Sequence, residues 1–147
     1  MSRYRRRHHR MWCVIGLVGA VGFLAMVVKV NHVMDHMIAK TNAYTILRAA
    51  QTFAHHNGGH YPSSFTDEDQ EGCTLLDYLP RGGLENPFTG TWDVPCDGST
   101  PVTLFHPGAM VYAVHPDGCI ITAYDDDGDA IVVLYAMSLP PGRGDPI

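Results

Sequence analysis

Eighteen consecutive residues, MWCVIGLVGAVGFLAMVV, carry no charge and no strongly polar side chain. A run of that length can cross a bilayer as a helix rising about 1.5 Å per residue, and this bounds every other reading of the chain. Arg3, Arg5, Arg6, Arg7 and Arg10 precede the run, and Lys29 alone follows it closely. Cytoplasmic flanks carry the excess of positive charge. The expectation is a basic cytoplasmic leader over 1–10, then a transmembrane segment over 11–30, opening at Met11 and closing at Val30, then an extracytoplasmic remainder. That describes a single-pass protein of the inner (cytoplasmic) membrane. A cleaved signal peptide is the competing reading, but its apolar stretch runs about 7–15 residues and ends in a small-x-small site. Here the run closes in Met-Val-Val-Lys-Val, so an uncleaved anchor is expected.

The formal net charge of −5 conceals a division along the chain. Beyond Val30 stand four basic residues, Lys40, Arg48, Arg81 and Arg143, against all fifteen acidic ones, a balance of −11. Such a surface repels phosphate, so nucleic acid is excluded as a partner, while divalent cations remain open. Cys13 falls in the apolar run, and Cys73, Cys96 and Cys119 fall in the exported part. An oxidising compartment allows one disulfide among these three, with Cys73–Cys96 and Cys96–Cys119 both open. No zinc-type cysteine spacing is present.

The apolar run leads into a second periodic stretch with no Gly or Pro up to His56. Val30, Val33, Met34, Met37 and Ile38 make one helical stripe; Ala39, Ala43, Ile46, Ala50 and Phe53 make another, rotated from the first. One helix of about 70 Å is expected from Met11 to His56, with an amphipathic continuation over 31–57 stopped by Asn57-Gly58-Gly59. Residues 58–138 form the expected globular head. Its first part, from Tyr61 to Pro107, is rich in Gly, Pro, Thr and Asp and reads as a long connection with a short helix or turn near 74–79. Then the period becomes that of strands: MVYAV, CIITAY and AIVVLY, separated by HPDG and DDDGD. These predict an antiparallel meander, with the second helical stripe as its cover. The fold class is therefore α+β, a long N-terminal helix packed on a small antiparallel sheet of three or more strands. Residues 139–147 read as a tail whose Arg-Gly-Asp is coincidental.

The order of these pieces resembles a known family. An apolar helix continuing into an amphipathic one, then YP, YLP, NPFTG, PGAMVY and AYDDDGD, is similar to the type IV pilin-like proteins, and most of all to the major pseudopilin of type II secretion systems. The likeness covers residues 11–135. It implies a membrane-anchored structural subunit of a secretion or pilus-like assembly, serving protein transport, with other pilin-like subunits or further copies of itself as partners. It also implies that the NPFTG segment shapes subunit contacts. The chain departs from the family at the prepilin peptidase site: its Gly-Phe is Gly22-Phe23, inside the apolar run, and the fifth residue counted from Phe23 is Val27 rather than Glu. The alternative reading is a solitary tethered module that binds an extracytoplasmic ligand or ion and does not polymerise.

Candidate chemistry is sparse. Clustered carboxylates in Tyr124-Asp125-Asp126-Asp127-Gly128-Asp129 repel one another unless solvent or a cation relieves them. Asp125, Asp127 and Asp129 alternate and are the candidate Ca²⁺ ligands, since Ca²⁺ takes six to eight oxygens from flexible loops. The resemblance implies calcium at the same place, and a solvated hairpin turn explains the sequence as well. His32 and His36 share a helix face and read as histidines at the membrane surface, His55, His56 and His60 as helix-end contacts, and His106 and His115 as turn residues. No nucleophile elbow, phosphate loop or dinucleotide fingerprint occurs. Neither an enzyme nor a small-molecule substrate is expected.

Overall fold

Helix α1 runs Arg3–His56, beginning earlier than the apolar run because arginine and histidine do not interrupt a helix. The computed structural model describes the backbone of residues 3–98 and 106–137 and the side chains from residue 16 onward within them; the tail expected over 139–147 lies outside the described residues. The chain divides into two compact units, residues 1–35 and 36–147. In the first, every described side chain from 16 to 34 is exposed. Among the described residues, α1 is the one helix long and apolar enough to cross a membrane.

The second unit is the head. Within it the helical stripe Ala39, Ala43, Ile46, Ala50 and Phe53 is buried, each residue at 1% exposure or less. Burying the Ile46 and Phe53 side chains stabilises the head by about 1.5–3 kcal/mol each. The helix ends where Gly58 and Gly59 take positive φ (64° and 92°) and the Gly59 N–H closes on the Ala54 carbonyl at 2.7 Å.

The next segment contains a short 3₁₀ turn, Leu75–Tyr78, where a turn was expected. Then come two paired dipeptide strands, β1 Leu84–Glu85 and β2 Trp92–Asp93, and the dipeptide β3 Cys96–Asp97. The meander follows: β4 Met110–His115, β5 Gly118–Tyr124 and β6 Ala130–Met137. The sheet order is β3-β4-β5-β6. The meander is antiparallel, but β3 adds to β4 in parallel, so the sheet is mixed rather than purely antiparallel. Two residues are too few to leave a period in the sequence, which is why β3 was not expected.

Side chains alternate across the sheet. Met110 and Tyr112 face inward with Cys119, Ile121 and Ala123, and Ala136 joins them from β6. These pack with Ala43, Ile46, Ala49 and Ala50 of the helix and with Leu75, Leu79 and Leu84 of the connection. The buried Tyr112 hydroxyl donates to the Pro62 carbonyl at 2.8 Å, so the YP dipeptide is fastened to the sheet through a satisfied polar group. Burial pushes the Tyr112 phenol well above its ordinary range.

Candidate functional site

The corner NPFTG is organised by Asn86, which is fully buried. Its Nδ2 donates to Asp93 Oδ2 at 2.8 Å and to the Pro107 carbonyl at 2.7 Å. Its Oδ1 accepts the Phe88 N–H at 3.0 Å. The backbone closes the turn through Asn86 N–H to Thr91 O and Gly90 N–H to Asn86 O, both 2.8 Å. The side-chain bonds tie the corner to β2 and to the approach to β4. A further bond, Asn42 Nδ2 to the Glu85 carbonyl at 2.8 Å, ties it to the helix. Gly108 (φ +74°) must lack a side chain, since a Cβ there would lie 2.2 Å from Asn86 Oδ1. The corner thus fixes the path of the connection between helix and sheet.

Asp93 is the charged member of this cluster. Burial pushes its carboxyl upward, but hydrogen bonds from Asn86, Thr91 and His106 outweigh that and leave it below the usual range. His106 Nε2 lies 3.1 Å from Asp93 Oδ2, which is more than a turn residue's role. Beside the cluster, Arg81 adopts a left-handed backbone (φ 51°) and its guanidinium lies 5.9 Å from the Trp92 ring centre.

A second network fastens the end of α1. Tyr78 donates its hydroxyl to Asp69 Oδ2 at 2.5 Å. The phenol has one proton and spends it there, so toward His56 Nδ1, 2.8 Å away, its oxygen can only accept. His56 therefore carries its proton on Nδ1. Asp69 Oδ1 accepts the N–H groups of Glu71 and Cys73 at 2.9 and 3.0 Å. The Tyr78 bond, with those backbone bonds behind it, holds Asp69 below the usual carboxylate range and drives Tyr78 above the usual phenol range. Glu71 Oε2 stands 3.3 Å from His56 Nδ1.

The acidic turn closes on itself. Asp125 Oδ1 accepts the N–H of Asp127 at 3.0 Å and of Asp129 at 2.8 Å, and the Asp125 N–H donates to the Asp129 carbonyl at 2.9 Å. Asp125, half-buried, is the organiser, while Asp126, Asp127 and Asp129 are exposed. The strands slip register at Ala123/Tyr124, which opens the loop toward a cavity of about 160 Å³ walled by His106, Pro107, Tyr124 and Asp125 to Gly128. A carboxylate oxygen of Asp126 comes within 4.8 Å of a His36 ring nitrogen, and the His36 ring stands edge-on to Phe88 at 5.7 Å. His32 sits on the exposed helix of the first unit.

Cys73, Cys96 and Cys119 are free thiols in this structure, and of the two candidate bridges the Cys96–Cys119 pairing does not fit. For Cys96–Cys119 the sheet supplies the reason. Cys96 pairs with Val111, which pairs with Thr122, three residues from Cys119. Two strand spacings across and three residues along separate their Cα atoms by about 14 Å, beyond the roughly 7 Å that a disulfide can span. The odd offset also puts them on opposite faces of the sheet. Cys73 lies in the Asp69 loop, its backbone bonded to Asp69.

A groove of about 570 Å³ runs along the helix, lined by Thr41, Tyr44, Thr45, Arg48, Ala49 and Thr52 and closed by Tyr78, Leu79 and Pro80. Thr41, Thr45 and Thr52 turn their hydroxyls back onto the carbonyls one turn earlier, at 2.9–3.0 Å. What they leave facing outward is methyl surface, interrupted by Arg48. The sequence did not announce this groove, the buried Asn86 and Asp69, or the half-buried Asp93 and Tyr78 that bond to them. The Asn-Pro dipeptide was the available signal for the first; the groove left none, because a threonine's hydroxyl direction is not written in the sequence. No family model, curated protein or solved structure matches the chain.

Proposed function

We propose that the protein is a pilin-like, pseudopilin-type structural subunit, non-enzymatic, anchored by its N-terminal helix with the N-terminus in the cytoplasm and the head outside the inner membrane. One contrast on a helical chain carries the reading. Apolar side chains from Leu17 to Val28 are exposed, at 38–70%, whereas the stripe from Ala39 to Phe53 is buried under the sheet. A helix left bare in this way needs lipid or other helices around it. Gly16, Gly19 and Gly22 have open space where a Cβ would be, which suits close approach by a neighbouring helix.

Crosslinking through a cysteine introduced at Gly19, in native membranes, tests the assembly role. Disulfide-linked dimers are expected, and strictly monomeric protein would overturn it in favour of a solitary tethered module. The calcium expectation for Asp125, Asp127 and Asp129 belongs to the same reading. It is supported by the exposed Asp127 and Asp129 side chains on a turn whose backbone N–H groups are gathered on Asp125 Oδ1. Calcium is expected to raise the melting temperature of the head, and Asp127→Ala to abolish the rise; an unchanged wild-type melt would remove the metal.

A further inference from the structure

The geometry points to the threonine-lined groove as the docking site for the helix of a second copy, with Arg48 of one copy paired to Asp35 of the next. This inference rests on the assembly reading and names its contact. Arg48 is exposed in the floor of the groove, and among the described residues its guanidinium takes part in no hydrogen bond or ion pair. The groove around it is more apolar than polar, with Tyr44 57% exposed. Its complement is therefore an apolar segment bearing a single carboxylate.

The chain offers one carboxylate on a helix flanked by exposed apolar side chains, with His32, His36 and Lys40 on the same stretch. Asp35 is the sole acidic residue of α1, and it too has no ion pair or hydrogen bond among the described residues. Around it Met34, Met37 and Ile38 are exposed at 54, 63 and 42%. The acidic loops of the head are poorer candidates. Asp67, Asp69 and Asp77 already accept local hydrogen bonds, and the 125–129 turn has no apolar neighbours within it to fill the groove. The Arg48–Asp35 pair would fix how far one helix is shifted along the next, a job that charge complementarity does better than it supplies affinity.

The test is site-specific photocrosslinking of the full chain in membranes, with a photoreactive phenylalanine at position 44. The expected product is a homodimer whose crosslinked peptide includes residues 30–40. Reversing one charge, Arg48→Asp or Asp35→Arg, is expected to cut the yield by about tenfold, the size of effect that 1.4 kcal/mol produces. Co-expressing the two single variants is expected to restore it. A homodimer indifferent to both reversals would overturn the pair while leaving self-association standing. Capture of a different protein from position 44 would overturn the proposal in favour of a heterologous partner. Absence of both, together with monomers in the Gly19 cysteine assay, would remove the assembly reading itself.

Discussion

Replacing Asn86 by alanine removes the post on which the NPFTG corner is hung, and its cost can be worked out bond by bond. Two of the lost bonds are to neutral backbone groups, Pro107 O and Phe88 N–H, at about 1 kcal/mol each; the third is to the Asp93 carboxylate, at about 1.5–3 kcal/mol. Asn86 is fully buried, so water can replace these partners only after the corner opens. The expected loss is about 3.5–5 kcal/mol, a large part of the 5–15 kcal/mol typical of a whole domain. For a head of this size that corresponds to a drop of roughly 14–40 °C in melting temperature, read by near-ultraviolet circular dichroism of the full chain in detergent.

Asn86→Asp separates the hydrogen-bond account from mere loss of volume. It keeps the oxygen that accepts Phe88 N–H but turns the donor nitrogen into an oxygen facing Asp93 Oδ2 and Pro107 O. At pH 7 it should be at least as damaging as alanine. It should recover as the pH falls toward about 4–5, because a carboxyl crowded by another has its pKa raised in the folded state and is stabilised once protonated. Thr89→Ala, at an exposed position whose hydroxyl meets only Thr91, should stay within about 0.5 kcal/mol. An Asn86→Ala loss under about 1 kcal/mol, or an Asn86→Asp variant as stable as the parent at pH 7, would refute the reasoning.

Asp67, Asp69 and Asp77 are held below the ordinary carboxylate range, first by hydrogen bonds from Ser63, Tyr78 and Thr74 respectively. Their contribution to stability is complete above about pH 4 and is lost as the pH falls through their lower folded values; acid melts should show that loss, and Asp69→Asn should shrink it. Phe53→Ala, which empties a fully buried site, should cost about 3–5 kcal/mol, whereas Met37→Gln, at 63% exposure, should leave the melt of the head unchanged. Burial pushes the Cys119 thiol up to about 11, so alkylation at pH 8 should modify the partly exposed Cys73 and Cys96 and reach Cys119 only after denaturation. Mass spectrometry of tryptic peptides reads this directly, and fast labelling of Cys119 in the folded protein would contradict its inward placement.

What was legible in the sequence, and what was not, follows from the range of the forces involved. The stripe Ala39, Ala43, Ile46, Ala50 and Phe53 announced its burial because a helix must repeat its apolar positions every three or four residues to keep one face inside. The strands β4, β5 and β6 fell within a residue or two of their expected bounds because alternation and Asp-Gly turns are equally local signals. The connection carries no period. Its shape is set by single side chains that bond over distances of 4 to 50 residues in sequence, as Asp69 to Cys73, Tyr78 to Asp69, Asn86 to Pro107 and Tyr112 to Pro62 do. From composition alone such residues look like solvated polar groups.

The free cysteines make the same point from the other side. The expectation of export and the count of thiols argue for a bridge, and both arguments are silent about geometry; once β3 takes its place beside β4, Cys96 and Cys119 point to opposite faces. The bridge between helix and sheet is made by polar side chains instead. Asn42 reaches Glu85, Asn86 reaches Asp93 and Pro107, and Asp69 gathers Tyr78 and the Cys73 backbone. Each anchors the long connection at a different point along its length. A head secured in this way leaves Thr41, Tyr44 and Arg48 exposed on the outward helix face, the surface that the proposed docking would use.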